Sequence, residues 1–158
     1  MIDKEKLIKE FKEEFDKTKN EVGFSPSFEE LDAEFFLILS VLSAGFVSPN
    51  FSRQLCSRIA EGFNNWFNYF HDILMPNPSN MFMSTEAKIF NSKEDKERIW
   101  SLIKKGRELT SLYALSGLKD KINLERKFID ETYEFWINVF KPSLTEIMQR
   151  VHNAWKNE

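Results

Sequence analysis

Residues 49–74 read PNFSRQLCSRIAEGFNNWFNYFHDIL, in which Phe51, Leu55, Ile59, Phe63, Phe67, Phe70 and Leu74 recur at intervals of three and four, with Trp66 beside Phe67. That interval is the repeat of one face of an α-helix, so the stretch predicts a long helix from Pro49 to about Leu74 with an aromatic stripe. Ser48 suits its cap and Pro49 its first helical position. The helix lies inside a wider segment, Phe35 to Ser92, that carries six formally charged side chains (Arg53, Arg58, Glu61, Asp72, Glu86, Lys88) and eleven aromatic ones. Charge keeps a helix surface wet. A segment this poor in charge and rich in rings is expected to be buried or held against another apolar surface.

Working outward, Lys4 to about Asn20 sets Leu7, Ile8, Phe11 and Phe15 on a narrow stripe of an otherwise charged helix, capped by Asp3 and ended by Gly23 and Ser25-Pro26. Ser27 with Glu30 is a capping box that opens a second helix, apolar nearly all round from Phe35 to Leu42 and stopped by Gly45 and Pro49. Pro76 to about Ser84 reads as a mobile connector, followed by a single helical turn around Thr85 to Phe90. Ser92 with Asp95, or Asn91 with Glu94, caps the next helix, whose core positions are Ile99, Trp100, Ile103, Leu109, Leu112, Tyr113 and Leu115, with Gly117 at its end. A last helical stretch runs from about Lys121 and carries Pro142, where a lost hydrogen bond and a ring clash predict a kink or a break, with Ser143 available to cap a separate final helix.

No strand-like alternation and no internal repeat is present. The expected fold is all-α: one domain over residues 1–158, an antiparallel bundle of about five helices, four longer core helices plus the amphipathic N-terminal one. Its 158 residues suffice for a core without staples. Twenty-two basic against 25 acidic residues argue against a nucleic-acid coat or a polybasic membrane anchor. A single cysteine, Cys56, excludes an internal disulfide, and the N-terminal residues lack a signal-peptide pattern. A cytoplasmic protein without a transmembrane segment is expected, since the run Phe35–Val47 falls short of the roughly twenty residues a bilayer needs.

Chemistry-bearing motifs are sparse. Only His71, His152 and Cys56 offer imidazole or thiol ligands, and neither histidine has an acidic residue three positions before it, which removes the metal pairs of di-iron bundles. The glycines are isolated, so no loop wraps a phosphate. No Gly-x-Ser-x-Gly is present, and Cys56 on an apolar-leaning helix reads as a core thiol. No cofactor, metal or catalytic residue is expected. Asp130 and Glu134, one turn apart near Trp136, are the one carboxylate pair worth weighing, and Glu131 beside them reads as solvent-facing. The basic cluster Lys104, Lys105 and Arg107 is interleaved with acids and reads as a mixed helix surface.

What the core does not absorb is the aromatic surplus. The adjacent pairs Trp66-Phe67 and Phe135-Trp136 diverge by about 100° around a helix axis, which turns some rings outward. Opposite the first pair runs a polar row with Asn64, Asn68 and His71, unusual because Asn is a poor helix former. The expected function is therefore a non-enzymatic adaptor or regulatory bundle that forms a homo-oligomer, a dimer, or docks another protein. Its contact residues would be Trp66, Phe67, Phe70, Asn64, Asn68, His71, Phe135 and Trp136. The alternative is an apolar small molecule or lipid held in a Phe-lined cavity between helices. A third reading lays the N-terminal helix on a lipid or polymer surface, with a stripe short for that task.

Overall fold

The computed structural model describes residues 3–157, and these are helical nearly throughout, with no strand among them. The order is α1 (Lys4–Val22), α2 (Phe28–Phe35), α3 (Leu37–Ala44), α4 (Phe51–Leu74), α5 (Met81–Ile89), α6 (Lys93–Ser116), α7 (Lys121–Phe135), a π-helical segment (Trp136–Phe140) and α8 (Lys141–Asn157). The last three run on without interruption, so seven helices form where about five were expected. The chain divides into two compact units, Met1–Gly62 with Leu109–Tyr133 and Phe63–Glu108 with Glu134–Glu158. Helices α4, α6 and α7 each contribute residues to both.

The start signals act as the sequence states them. Asp3 Oδ1 accepts from the amides of Glu5 and Lys6 at 3.1 Å each. The capping box closes in both directions, Ser27 N to Glu30 Oε2 at 2.7 Å and Glu30 N to Ser27 Oγ at 3.1 Å. Ser92 Oγ accepts from Asp95 N, which selects that cap over Asn91 with Glu94. Helix α4 starts two residues later than Pro49: Ser48 Oγ accepts from Asn50 N in a short turn, and the first helical bond runs from Gln54 N to Asn50 O. The connector orders earlier than expected, because Asn80 Oδ1 accepts from Met83 N and opens α5 at Met81.

In the first unit, α1 packs on α2 and α3. Leu7, Phe11, Phe15, Thr18 and Val22 form its buried stripe. Phe15 meets Phe24 and Phe28 edge-on, with centroids 5.5 and 5.2 Å apart, and Phe11 meets Phe51 at 4.9 Å. Each such buried ring contributes about 1.5–3 kcal/mol from water exclusion. The chain leaves α1 through Gly23, whose φ of 84° is the left-handed region that a side chain disfavours. Lys19 Nζ donates to the carbonyls of Ser25 and Pro26, and Asp130 Oδ1 accepts from Ser25 N at 2.6 Å. Arg53 lies with its guanidinium 4.1 Å from the Tyr113 ring centroid and donates to Tyr113 O and Ser116 Oγ. Arg53 is thus a structural tie between α4 and α6.

The second unit is built on rings. Phe63 has Phe135, Trp136 and Phe140 around it at centroid distances of 6.1, 5.3 and 5.2 Å, with Phe67 at 5.9 Å. Phe70 packs on Phe140 at 5.7 Å. The π segment makes this possible. Its bond from Lys141 N to Trp136 O widens one turn by a residue. Phe135 and Trp136 then both reach Phe140, at 5.8 and 5.4 Å, instead of one of them turning outward. The same widened turn accommodates Pro142, which has no N–H to give to an i−4 carbonyl and a ring that would strike it. The expected break and the separate helix capped by Ser143 are absent: residues 141–157 continue the helix.

Polar ties close this unit. Arg150 holds Asp95 through two bonds of 2.7 and 2.8 Å, donates to Ile89 O, and lies over the Phe90 ring. Arg98 holds Glu146 in the same two-pronged way, at 2.8 Å for each bond. Glu86 accepts from Tyr69 Oη at 2.7 Å and from Trp155 Nε1 at 3.0 Å, joining α4, α5 and α8. Burial first, then the bond to Glu86, raises the Tyr69 hydroxyl well above its ordinary value.

Gly106 is where α6 admits the ring of Phe67, since a Cβ there would collide with Cζ and Cε1 of that ring. Gly106→Ala is expected to lower the unfolding free energy by about 1–3 kcal/mol, read from urea denaturation, because the displaced ring is interior. A second expectation concerns acid. The hydrogen bonds from Arg150 hold the Asp95 carboxyl below the usual carboxylate range. A depressed folded value gives stability that is present above the unfolded value and is lost as pH falls through the folded one. Stability should therefore fall below about pH 4, less steeply in Asp95→Asn, when thermal midpoints are followed against pH.

Candidate functional site

The eight residues proposed from the sequence as a contact surface are not all at the surface. Phe67, Phe70, Phe135 and Trp136 are buried among the rings of the second unit, Trp66 is half-buried with its edge on Tyr69, and Asn64, Asn68 and His71 are exposed. The correction has two physical causes. The π turn brings both rings of the 135–136 pair inward, and the glycine notch at 106 receives Phe67. His71 does no more than approach Asp72, with Nδ1 3.6 Å from Oδ1. The carboxylate pair is not one either: Asp130 is engaged by the Ser25 amide and Glu134 is exposed.

The surplus rings surface elsewhere. Phe36, Leu39 and Phe46 are 57, 61 and 58 % exposed. Phe36 is the residue just before α3, Leu39 lies within it, and Phe46 follows its C-terminal cap Gly45, with Ser43 exposed between the last two. Further apolar groups stand out in the second unit: Phe82, whose ring lies 6.1 Å from Trp155, Met81, and Trp100 above a shallow groove that includes Leu74.

The stripe on α3 owes its existence to a break in the expected second helix. Phe36 has φ 55° and ψ 52°, left-handed values that a bulky side chain occupies at a cost of about 1–2 kcal/mol. Three bonds hold it there. Phe36 N still donates to Asp32 O at 2.9 Å, Asp32 Oδ1 accepts from Ile38 N at 2.8 Å to cap α3, and Arg58 Nε donates to Phe35 O at 2.7 Å. The break lets Phe35 and Leu37 both face inward, at 2 and 1 % exposure, while the ring between them projects into solvent. Nothing in the residue pattern marks this, because Phe36 carries the signature of a buried helix position. The one available hint is Asp32, a capping residue type in the middle of a supposed helix.

Elsewhere in the first unit, a cavity of about 280 Å³ is lined by side chains of α1, α4 and α7 and by Pro49 and Asn50. Glu125 lies on its wall, is fully buried, and receives no hydrogen bond at either carboxylate oxygen from a described residue. Sequence reading passed over it as one more acid on a polar helix. Cys56 is fully buried too. Burial, followed by the charge of Glu125, pushes its thiol far up, with Arg53 and Lys121 opposing, and a thiol so placed is no nucleophile. Among the described residues, no three His, Cys, Asp or Glu side chains group as ligands for a metal ion. No described helix is long and apolar enough to cross a membrane. No family, curated protein or solved structure matches this chain.

The left-handed Phe36 separates local strain from function. Phe36→Gly removes the strain and gives up little burial, so the unfolding free energy should rise by about 1 kcal/mol in urea denaturation, the reverse of the usual cost of deleting a phenyl ring.

Proposed function

We propose that this chain is a non-enzymatic interaction protein, an adaptor or regulator, that self-associates or docks a partner through the apolar stripe Phe36, Leu39 and Phe46. The observation that carries the reading is the clamped break at Phe36. A ring held in a disfavoured backbone conformation by Asp32 and Arg58, and projected into water, costs stability twice over. Such costs are retained where a surface must be presented, and aromatic side chains are enriched at the centres of protein interfaces. The stripe replaces the ring surface expected on α4 and α7. No reaction, cofactor or nucleic-acid partner belongs to this reading. It also takes the helices to run antiparallel and, on the strength of the lone buried Cys56, the protein to work in the cytoplasm.

Sedimentation velocity over a rising concentration series tests the proposal. The wild-type chain should shift toward a dimer, and both Phe36→Gly and Leu39→Asp should remain monomeric, the first of them while more stable than wild type. A wild-type chain that stays monomeric at the highest attainable concentration and captures no partner through this stripe would remove the basis of the reading.

A further inference from the structure

The groove under Trp100 lies on a side of α6 where the charges are sorted by sign. At about 100° per residue, Lys93, Lys96, Lys104 and Arg107 all fall within about 40° of Trp100 around the helix axis, and no acid does. The acids of the same helix lie on other sides, and most are engaged. Asp95 is held by Arg150, Glu108 lies 2.8 Å from Lys105, and Glu97, at the border of the stripe, is 3.7 Å from Lys93. Lys96 and Lys104 are exposed and have no ion-pair partner among the described residues. The whole chain carries 22 basic and 25 acidic residues, so an acid-free stripe of cations is not a sample of its average surface. The groove, about 510 Å³, is lined by Leu74, Asn91, Lys93, Lys96, Glu97 and Trp100, and most of what it presents to water is apolar. Trp100 itself is 58 % exposed.

From this we infer that the groove docks a short acidic segment of a partner protein, which lays an apolar side chain against Leu74 and Trp100 and brings carboxylates to Lys93, Lys96 and Lys104. Charge complementarity selects the class. Cations on both sides of an apolar centre call for a segment with acids on both sides of an apolar anchor. The dimensions agree: Lys93 and Lys104 lie about 17 Å apart along the axis, which an extended chain covers in about five residues. Exposed ion pairs each contribute little, so the anchor supplies most of the affinity and the lysines select the sign of the partner. Single-stranded nucleic acid is held by successive stacking rings, and among the described residues that line this groove only Trp100 has one. A bilayer is met by apolar groups that project as a face, whereas this surface is hollow and receives a projecting group.

The test titrates the full chain with the synthetic peptide acetyl-EDEFEDE-amide, with the same peptide carrying Ser in place of Phe, and with acetyl-KRKFKRK-amide, followed by amide and indole NMR. The first peptide should bind saturably, shift the Trp100 indole and the amides of Leu74 and Lys96, and weaken as salt is raised. The serine and the basic peptides should bind at least about tenfold more weakly. Trp100→Ala should cost the acidic peptide about tenfold or more in affinity, and so should Lys96→Glu combined with Lys104→Glu. Both variants alter exposed groups and should keep the wild-type thermal midpoint; the lysine pair decides the matter if Trp100→Ala lowers it. Absence of saturable binding by the acidic peptide overturns the inference, as does equal binding by either control peptide or by both variants. So does tighter binding, through the same residues, of a short oligothymidylate or of vesicles made from equal parts phosphatidylserine and phosphatidylcholine. The groove shares no residue with the Phe36 stripe, so failure of that stripe to mediate association leaves this outcome untouched.

Discussion

Four rings, Phe67, Phe70, Phe135 and Trp136, packed around Phe63 and Phe140 are the constraint to which the second unit conforms. The second half of α4 carries an apolar face of rings opposite its exposed Asn64, Asn68 and His71; that face has to be covered, and the rings of residues 135, 136 and 140 cover it. Two local irregularities follow from that need. The chain widens one turn into a π-helix so that adjacent aromatic residues face the same way, and α6 gives up a side chain at Gly106 to let Phe67 approach its backbone. The ion pairs Arg150–Asp95 and Arg98–Glu146 tie α6 to α8 in the same unit.

The first unit meets a related requirement differently. Its rings come from α1, the turn after it, α2 and the start of α4, and they pack edge-on, while ties such as Lys19 to Ser25 and Arg58 to Phe35 hold the backbone where the helices end. The break at Phe36 belongs to the same scheme. An uninterrupted helix over 28–44 would turn Phe35, Phe36 and Leu37 to three different sides, and the left-handed residue resolves this by letting its two neighbours face inward. One ring is the residue of that solution, left in solvent.

What the residues made legible follows from which signals are local. Asp3, Ser27 with Glu30, and Ser92 with Asp95 announce helix starts through bonds spanning two or three residues, and each bond forms. The stripes of α1 and α4 are one-dimensional patterns and also emerge. Helix number was misread where a tertiary demand overrode the pattern: at Phe36, and at Asn80, where a cap in a proline-rich connector opens α5; at Pro142, where a kink or a break was expected, a widened turn keeps the helix continuous. The contact surface was misread for the same reason, because whether Trp136 or Phe67 faces outward depends on a π turn and on a glycine distant in sequence. Glu125 was illegible for a simpler reason: an acid on a charged helix looks solvated until the neighbours that bury it are known.

The π segment also has a bearing on how the end of the chain tolerates change. The widened turn absorbs one additional residue, so Leu144, Ile147 and Val151 stand one position out of step with the α-helical periodicity set by Phe128 and Ile129. A heptad or 3.6-residue template drawn straight through 121–157 therefore slips out of step midway. Length at this point carries the packing as much as identity does: excising a single residue from 136–140 would close the widened turn to an α-helical one, and the rings of 135 and 136 could no longer both reach Phe140.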